Sequence, residues 1–293
     1  MNTIRYLVKN PLSLFGLILL LFFAVIALIA PWIAVPEAYQ ISPYDIPRSG
    51  FWMAPRPPSA EHLFGTTQGQ FDIFYGLVWG TRTAFRIGLG IVLVSSIFGI
   101  AIGAISAFYG GILDEILMRI VDVFMAIPFL IAAMVLTTIL GKGVYQMMIA
   151  LTAFGWMGYA RLIRSEILYI KQLDYVQAAK AMGSKDFKLV MRHILPNAFY
   201  PVLVQATMAT GSMVLAASAL SFLGVGTEPG YADWGNLISL ARNWIMGQGS
   251  DPFKYWYTLF YPGIAIFLFV LSWNLVGDAL RDILDPRLRG KQN

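Results

Sequence analysis

Long apolar stretches separated by short polar ones run through most of this 293-residue chain. A helix needs about 20 mostly apolar residues to cross the hydrocarbon core of a bilayer. The pattern therefore predicts an all-α polytopic membrane protein with about six transmembrane helices. Pro128 falls inside the third span, where neighbouring helices can satisfy the carbonyl that a proline frees. The predicted spans are Leu12–Ala30, Arg86–Phe108, Val121–Leu140, Tyr145–Ile163, Ala198–Leu223 and Tyr257–Val276.

Composition supports a membrane protein and excludes several chemistries. Charged residues make up 13% of the chain, against roughly 25% in an average soluble domain. The chain has no cysteine, which excludes disulfides, a thiol nucleophile and a thiolate metal site. It also has no G-x-x-x-x-G-K-[ST] phosphate loop, so we expect no nucleotide to bind to this chain.

The distribution of basic residues predicts the orientation. With the amino terminus inside, the cytoplasmic segments hold 14 of the 21 basic and nine of the 16 acidic residues, a net charge of +5. The external segments hold seven of each, a net charge of zero. Both termini are therefore predicted to be cytoplasmic. The asymmetry points to membrane lipid, not nucleic acid, as the neighbour of the positive charges.

The cytoplasmic segment Tyr159–Asn197 is too polar to be a span and holds seven of the 14 inner basic residues. Asp174 is predicted to cap a helix over Tyr175–Met182, with Gln177 completing a capping box. Gly183 suits the position just after that helix.

A second short helix is predicted to start after Ser184, and Pro196 is expected to end the polar stretch before the fifth span. Two interpretations remain open on physical grounds. An amphipathic hairpin can lie on the lipid surface with its lysines on anionic headgroups. A protruding apolar knob flanked by charges is equally suited to the groove of a partner protein.

The same segment resembles the coupling motif of ABC importer permeases. That motif reads Glu-Ala-Ala, three residues, Gly, nine residues, and then a four-residue block that ends in Pro. Both spacings match, and the ending is typical of the dipeptide/oligopeptide/nickel branch. The matching residues are Gln177-Ala178-Ala179, Gly183 and His193-Ile194-Leu195-Pro196-Asn197.

Further matches to that branch occur in order along the chain, and the carboxyl-terminal one resembles its C-type permease subunit. They are Asn10-Pro11-Leu12, His62-Leu63-Phe64-Gly65-Thr66, Gly80-Thr81-Arg82-Thr83, Gly158-Tyr159-Ala160-Arg161, Leu220-Ser221-Phe222-Leu223-Gly224, Asp233-Trp234-Gly235-Asn236 and Asp285-Pro286-Arg287-Leu288-Arg289.

The resemblance implies a type I ABC importer permease fold in a bacterial or archaeal plasma membrane, with coupling helices between spans four and five. It implies four partners: a homologous second permease subunit, two ATPase subunits and an extracytoplasmic solute-binding protein. ATP and Mg would be bound by the ATPases. The implied domains are 1–84, the first span with a long external segment, and 85–293, the core permease with the coupling motif at 173–197.

The resemblance also implies a set of residues that couple transport to the ATPases. Three departures from the family pattern accompany it. Gln177 replaces the usual Glu and so loses any salt bridge to an ATPase basic group. Ala217 stands where many relatives carry a Glu. Thr67 and Phe71 depart from a common external pattern of the family, although this chain retains the Asp of that pattern as Asp72. The implied coupling residues are Gln177, Ala178, Ala179, Met182, Gly183, Phe187, His193 and Pro196.

The function implied is a permease subunit that forms half of the translocation pathway of a peptide importer. Nickel chelates, glutathione and other small solutes are the alternatives within the branch. The external segment that carries Trp234, Asn236 and Trp244 is a candidate substrate entrance. Interfacial anchoring of its aromatic side chains is the alternative interpretation.

Two other classes of protein are less favoured by the residues. A proton- or sodium-driven transporter usually keeps ionisable groups deep in the membrane, whereas Asp122, Asp278 and Arg86 lie near span ends. A membrane enzyme would need a Ser/His/Asp set or a metal cluster. The only two histidines, His62 and His193, are predicted on opposite sides of the membrane.

Overall fold

The computed structural model describes residues 10–50, 52–184, 186–245 and 253–284, and it is helical throughout these ranges apart from loops and isolated β-bridges. The predicted match at Asp285–Arg289 lies outside the described residues. The helices are α1 Pro11–Ile33, α2 Ile73–Tyr109, α3 Gly111–Met125, α4 Phe129–Leu140, α5 Val144–Gly155, α6 Met157–Ile170, α7 Asp174–Ala181, α8 Asp186–Leu189, α9 Leu195–Phe222, α10 Trp234–Ile245 and α11 Tyr257–Leu284, with a π-helical turn at Val190–Ile194 between α8 and α9.

Four of these helices, α1, α2, α9 and α11, are long and apolar enough to cross a membrane. They correspond to predicted spans one, two, five and six. The largest difference is in α2, which begins 13 residues before the predicted Arg86. Asp72 caps it, because its carboxylate accepts a 2.8 Å hydrogen bond from the Tyr75 N–H. Its 37 residues extend for about 55 Å, well beyond the hydrocarbon core.

The third predicted span is not one helix. It corresponds to α3 and α4, which meet at an angle of 83°. The break lies at Pro128, which has no N–H to donate and disfavours helical geometry in the residue before it. The sequence predicted that neighbouring helices would hold Pro128 inside a continuous span. That prediction is wrong, because the helix breaks at this proline.

The fourth predicted span is also divided. Helices α5 and α6, of 12 and 14 residues, are separated at Trp156. Among the described residues the structure thus has four long apolar helices, or five with the bent α3–α4 pair. The α5–α6 pair, which corresponds to the fourth predicted span, is not among them.

Helix α2 is the centre of the packing, because it lies against α6, α9, α5 and α1. The contact with α6 is a close one. A Cβ atom added at Gly99 would lie 2.5 Å from the backbone oxygen of Trp156, and one at Gly103 would collide with the Ala160 carbonyl. These glycines, four residues apart, let the two helix backbones approach as small-residue pairs do in membrane bundles.

The external segment between α1 and α2 folds over the start of α2. Trp79 donates a 2.8 Å hydrogen bond from Nε1 to the Ala34 carbonyl. Arg86 lies over the Tyr44 ring at 4.4 Å, and Tyr44 stacks on Tyr231 at 5.6 Å. The predicted domain boundary at 84/85 falls inside α2, so residues 73–84 continue into the core helix. The division into domains otherwise stays a prediction.

Candidate functional site

The turn after α7 has the geometry that the sequence predicts for Gly183. Its φ is +84°, a left-handed conformation that favours glycine. The Gly183 N–H donates to the Lys180 carbonyl at 3.0 Å, and the Ser184 N–H donates to the Ala179 carbonyl at 3.2 Å. This pair of bonds is a Schellman motif, which ends α7 sharply and turns the chain towards α8.

The predicted capping box is wrong. Leu173, not Asp174, is the N-cap of α7, and it makes no side-chain cap. The Gln177 amide instead donates a 2.7 Å hydrogen bond from Nε2 to the Lys171 carbonyl at the end of α6. The Lys171 ammonium in turn donates to the Ala107 carbonyl at 2.6 Å, near the end of α2. These bonds connect α7 to the cytoplasmic end of the longest helix.

The two motif alanines differ in burial. Ala178 is exposed, whereas Ala179 is buried in a cluster with Val176, Leu189 and Ile194. The expectation that both alanines lie against a partner is therefore corrected for Ala179, whose methyl packs within this chain. Met182, 81% exposed, lies beside Gly183. The outward apolar surface of α7 is formed by Ala178 and Met182.

Pro196 does not end a polar stretch before a separate span. It occupies the second residue of α9, and the π-helical turn Val190–Ile194 joins α8 directly to that helix. A proline cannot donate to the preceding turn and its ring crowds the carbonyl four residues back, which suits a widened turn there. The side chains of Phe187 and His193 lie outside the described residues.

The candidate entrance residues Trp234 and Asn236 are structural. Trp234 is buried and donates a 3.1 Å hydrogen bond from Nε1 to the Leu77 carbonyl of α2. Asn236 is buried and donates from Nδ2 to Thr227 Oγ1 at 3.0 Å. Because both side chains are enclosed by their own chain, neither lines an entrance.

Trp244 is the one candidate entrance residue that reaches an open surface. Its Nε1 donates to Gln68 Oε1 at 3.2 Å, and its ring meets Tyr255 edge-on. It borders a shallow external depression of about 730 Å³ together with Trp52 and Arg56.

Asp233 shows how the loop before α10 is held. Its carboxylate accepts hydrogen bonds from Thr227 Oγ1 at 3.1 Å and from the Gly235 N–H at 3.2 Å. Burial raises the pKa of the Asp233 carboxyl above its ordinary value, and hydrogen bonds from Ser221, Gly235 and Thr227 act in the opposite direction. The residue caps α10 and fixes the loop that carries Trp234.

A polar cluster in the external segment has no counterpart among the sequence predictions. His62 Nδ1 lies 2.6 Å from Asp72 Oδ2, and His62 Nε2 lies 2.7 Å from Ser49 Oγ. Although His62 and Asp72 each belong to a stretch that matches the family, nothing in the sequence indicates that they meet, and Ser49 lies 13 residues from His62 outside any matched stretch. Since Asp72 also caps α2, the cluster ties the external segment to the first turn of that helix.

The fold is similar to that of a protein of known structure. A chain from a structure of the inward-facing MetNI methionine ABC transporter superposes with a TM-score of 0.57 and 17% identity over 72% of this chain and 97% of that one. At this identity the likeness concerns the fold alone, and it confirms the predicted type I importer permease fold.

The sequence comparisons define the family. Residues 99–290 match the family described as binding-protein-dependent transport system inner membrane component, and residues 2–58 match the N-terminal TM domain of oligopeptide transport permease C. The chain belongs to this family of ABC transporter permease subunits. It is a multi-pass membrane protein that, as in its family generally, works with ATPase and binding-protein partners.

Two curated relatives illustrate the likeness. The dipeptide transport system permease DppC of Bacillus subtilis is 35% identical over 97% of this chain and 85% of its own length. The probable D,D-dipeptide permease DdpC of Escherichia coli is 34% identical over 97% of this chain and 90% of its own. The predicted family resemblance is confirmed.

Proposed function

We propose that this chain is a permease subunit of an ATP-driven importer of dipeptides or oligopeptides. The observation that carries the proposal is the near-full-length identity of about a third with relatives named as peptide permeases. The chain would form half of the translocation pathway beside a homologous permease subunit. A binding protein would deliver the peptide from outside, and both termini would be cytoplasmic.

The coupling surface that we propose is the outer side of α7 with the Gly183 turn. Two ATPase subunits would serve the permease pair, one on each coupling segment, and would bind the ATP and Mg. Ala178 and Met182 present a small apolar surface suited to the groove of a partner protein. The Gln177 and Lys171 hydrogen bonds connect that surface to α2. Movement of the docked ATPase would thus be transmitted to a helix that reaches the external segment.

The substrate class is tested by the ligand of the cognate binding protein. We expect mass spectrometry of that protein, purified from cells, to identify short peptides. Excess unlabelled dipeptide should then abolish uptake of the labelled ligand, and deletion of this chain should do the same. Recovery of an unrelated ligand, with no competition by dipeptides, would refute the peptide proposal.

Glutathione is the second candidate substrate. The glutathione permease GsiD of Pectobacterium atrosepticum is 35% identical over 97% of this chain and 90% of its own length. Competition by glutathione but not by dipeptides would favour it.

A further inference from the structure

A groove of about 860 Å³ runs between α6, α9 and α11. Along α9 its lining extends from Tyr200 to Ser212, a rise of about 18 Å. In the predicted orientation Tyr200 is near the cytoplasmic end of α9 and Ser212 is beyond its middle. In that orientation the groove runs along α9 from near its cytoplasmic end to beyond its middle, and its volume is within the usual range for ligand sites, ~300–1,000 Å³.

The lining of the groove combines apolar side chains with polar and charged ones. Gln205 and Ser212 lie two helical turns apart on the lining of α9, and Glu166 and Arg281 face the groove from α6 and α11. Polar and charged side chains within membrane helices usually face a bundle interior or a water-filled path, because exposure to hydrocarbon is costly. The polar and charged members of the lining favour a hydrated surface on this side of α9 over one that faces lipid tails.

The two charges are complementary to the ends of a peptide. Among the described residues, no ion pair involves Glu166 or Arg281. A carboxylate and a guanidinium that share a groove without pairing can receive an ammonium and a carboxylate, respectively. The Gln205 amide and the Tyr200 and Tyr169 hydroxyls in the same lining offer donors and acceptors for peptide groups.

We infer that this groove is the inner section of the peptide path, with Glu166 receiving the free amino terminus and Arg281 the free carboxylate of the peptide in transit. The inference rests on the proposed function and assigns its substrate a site on this chain. The contact is transient, because the groove is open and its charges are hydrated.

Trapping in the assembled importer tests the position of the path, and the cysteine-free chain makes the background low. Gln205→Cys places a single thiol in the groove. Leu203→Cys is the matched control, since Leu203 is 39% exposed and lies about 160° away around α9 at nearly the same depth. The complete importer, with cysteines of the partner subunits replaced, transports a dipeptide that contains one cysteine under mild oxidation. Mass spectrometry then measures the disulfide adduct.

We expect an adduct on Gln205→Cys that requires ATP and the binding protein, and only background on Leu203→Cys. No adduct on Gln205→Cys while the same dipeptide is imported would overturn the groove assignment alone. A Gln205→Cys cross-link to the other permease subunit in place of an adduct would also overturn it, because the groove would then be an interface. Failure of the wild-type importer to transport any dipeptide would instead refute the proposed function.

The charge assignment has its own test. Relative to wild type, Glu166→Gln should lower uptake of a free dipeptide about two- to fivefold, the range for a hydrated charge pair, and leave uptake of its N-acetylated form unchanged. Arg281→Gln should do the same for free-carboxylate against C-amidated dipeptide. Expressing each rate as a ratio to wild type removes the selectivity of the binding protein. Equal loss for blocked and free dipeptides would contradict the charge assignment.

Discussion

Gln177 Nε2 lies 2.7 Å from the backbone oxygen of Lys171, and this hydrogen bond holds α7 against the end of α6. The family residue at this position is expected to be Glu, whose carboxylate cannot donate to a carbonyl. In this chain the Gln177 side chain therefore makes an intramolecular hydrogen bond that stabilises the position of α7.

The first prediction concerns Gln177→Glu. On the sequence alone this change, which restores the family residue, is expected to be tolerated, because it keeps the predicted capping geometry and adds a negative charge near a helix amino terminus. The structure predicts a loss of about 0.5–1.5 kcal/mol in the free energy of unfolding, the usual net worth of one hydrogen bond. Thermal unfolding in detergent measures it, with the exposed Ala178→Ser as control. A Gln177→Glu melting temperature equal to wild type would show that the Lys171 contact contributes nothing.

The second prediction separates the buried Ala179 from the exposed Met182 at the end of α7. Ala179→Trp should destabilise this chain by about 1–3 kcal/mol, because it overpacks the cluster around Val176. Met182→Asp should leave the melting temperature unchanged, since Met182 is exposed, yet should reduce co-purification of the ATPases. If Met182→Asp retained the ATPases and full uptake, the outer side of α7 would not be their docking surface, and the lipid-lying hairpin would be favoured.

The third prediction concerns the turn at Gly183. Gly183→Val forces a β-branched residue into a left-handed conformation, which costs about 1–2 kcal/mol even for ordinary residues. Gly183→Asn is the control, because asparagine tolerates that conformation. We expect uptake and ATPase retention to fall with Val but not with Asn, while the affinity of the binding protein for its ligand stays the same. Equal behaviour of the two variants would exclude a role for the turn geometry.

The fourth prediction concerns the external cluster. His62→Ala removes the contacts to Asp72 and Ser49, so the external segment should open and become sensitive to added protease. Ser49→Ala, which keeps the Asp72 contact, should have a smaller effect. Protease resistance of His62→Ala equal to wild type would show that the segment is held by its aromatic contacts instead.

The membrane helices were predictable because the length of an apolar run is a local property. The interruption at Pro128 was visible as a residue, but whether neighbours would hold the proline in a continuous helix was a question of tertiary structure. The break at Trp156 has no comparable signal. The start of α2 was missed because Arg82 and Arg86 were assigned to the external side as charged residues. In the structure both belong to the helix, and their guanidinium groups lie over the rings of Trp79 and Tyr44, respectively.

The candidate site was predictable where a backbone rule applies and not where packing decides. Gly183 needed only the C-cap preference of glycine. The burial of Trp234 depends on Leu77, 157 residues away in sequence, and Ala179 is turned inwards by contacts with α8 and the π-helical turn. The His62–Asp72 contact required the external segment to fold back on α2.

The most direct test of the central claim is the energy source of peptide uptake. The importer is reconstituted in vesicles, with binding protein and labelled dipeptide outside and ATP or a non-hydrolysable analogue inside. We predict uptake with ATP, none with the analogue, and loss of uptake with Gly183→Val but not with Gly183→Asn. Uptake that needs no ATP and follows an imposed proton or sodium gradient would contradict the account and identify a secondary transporter.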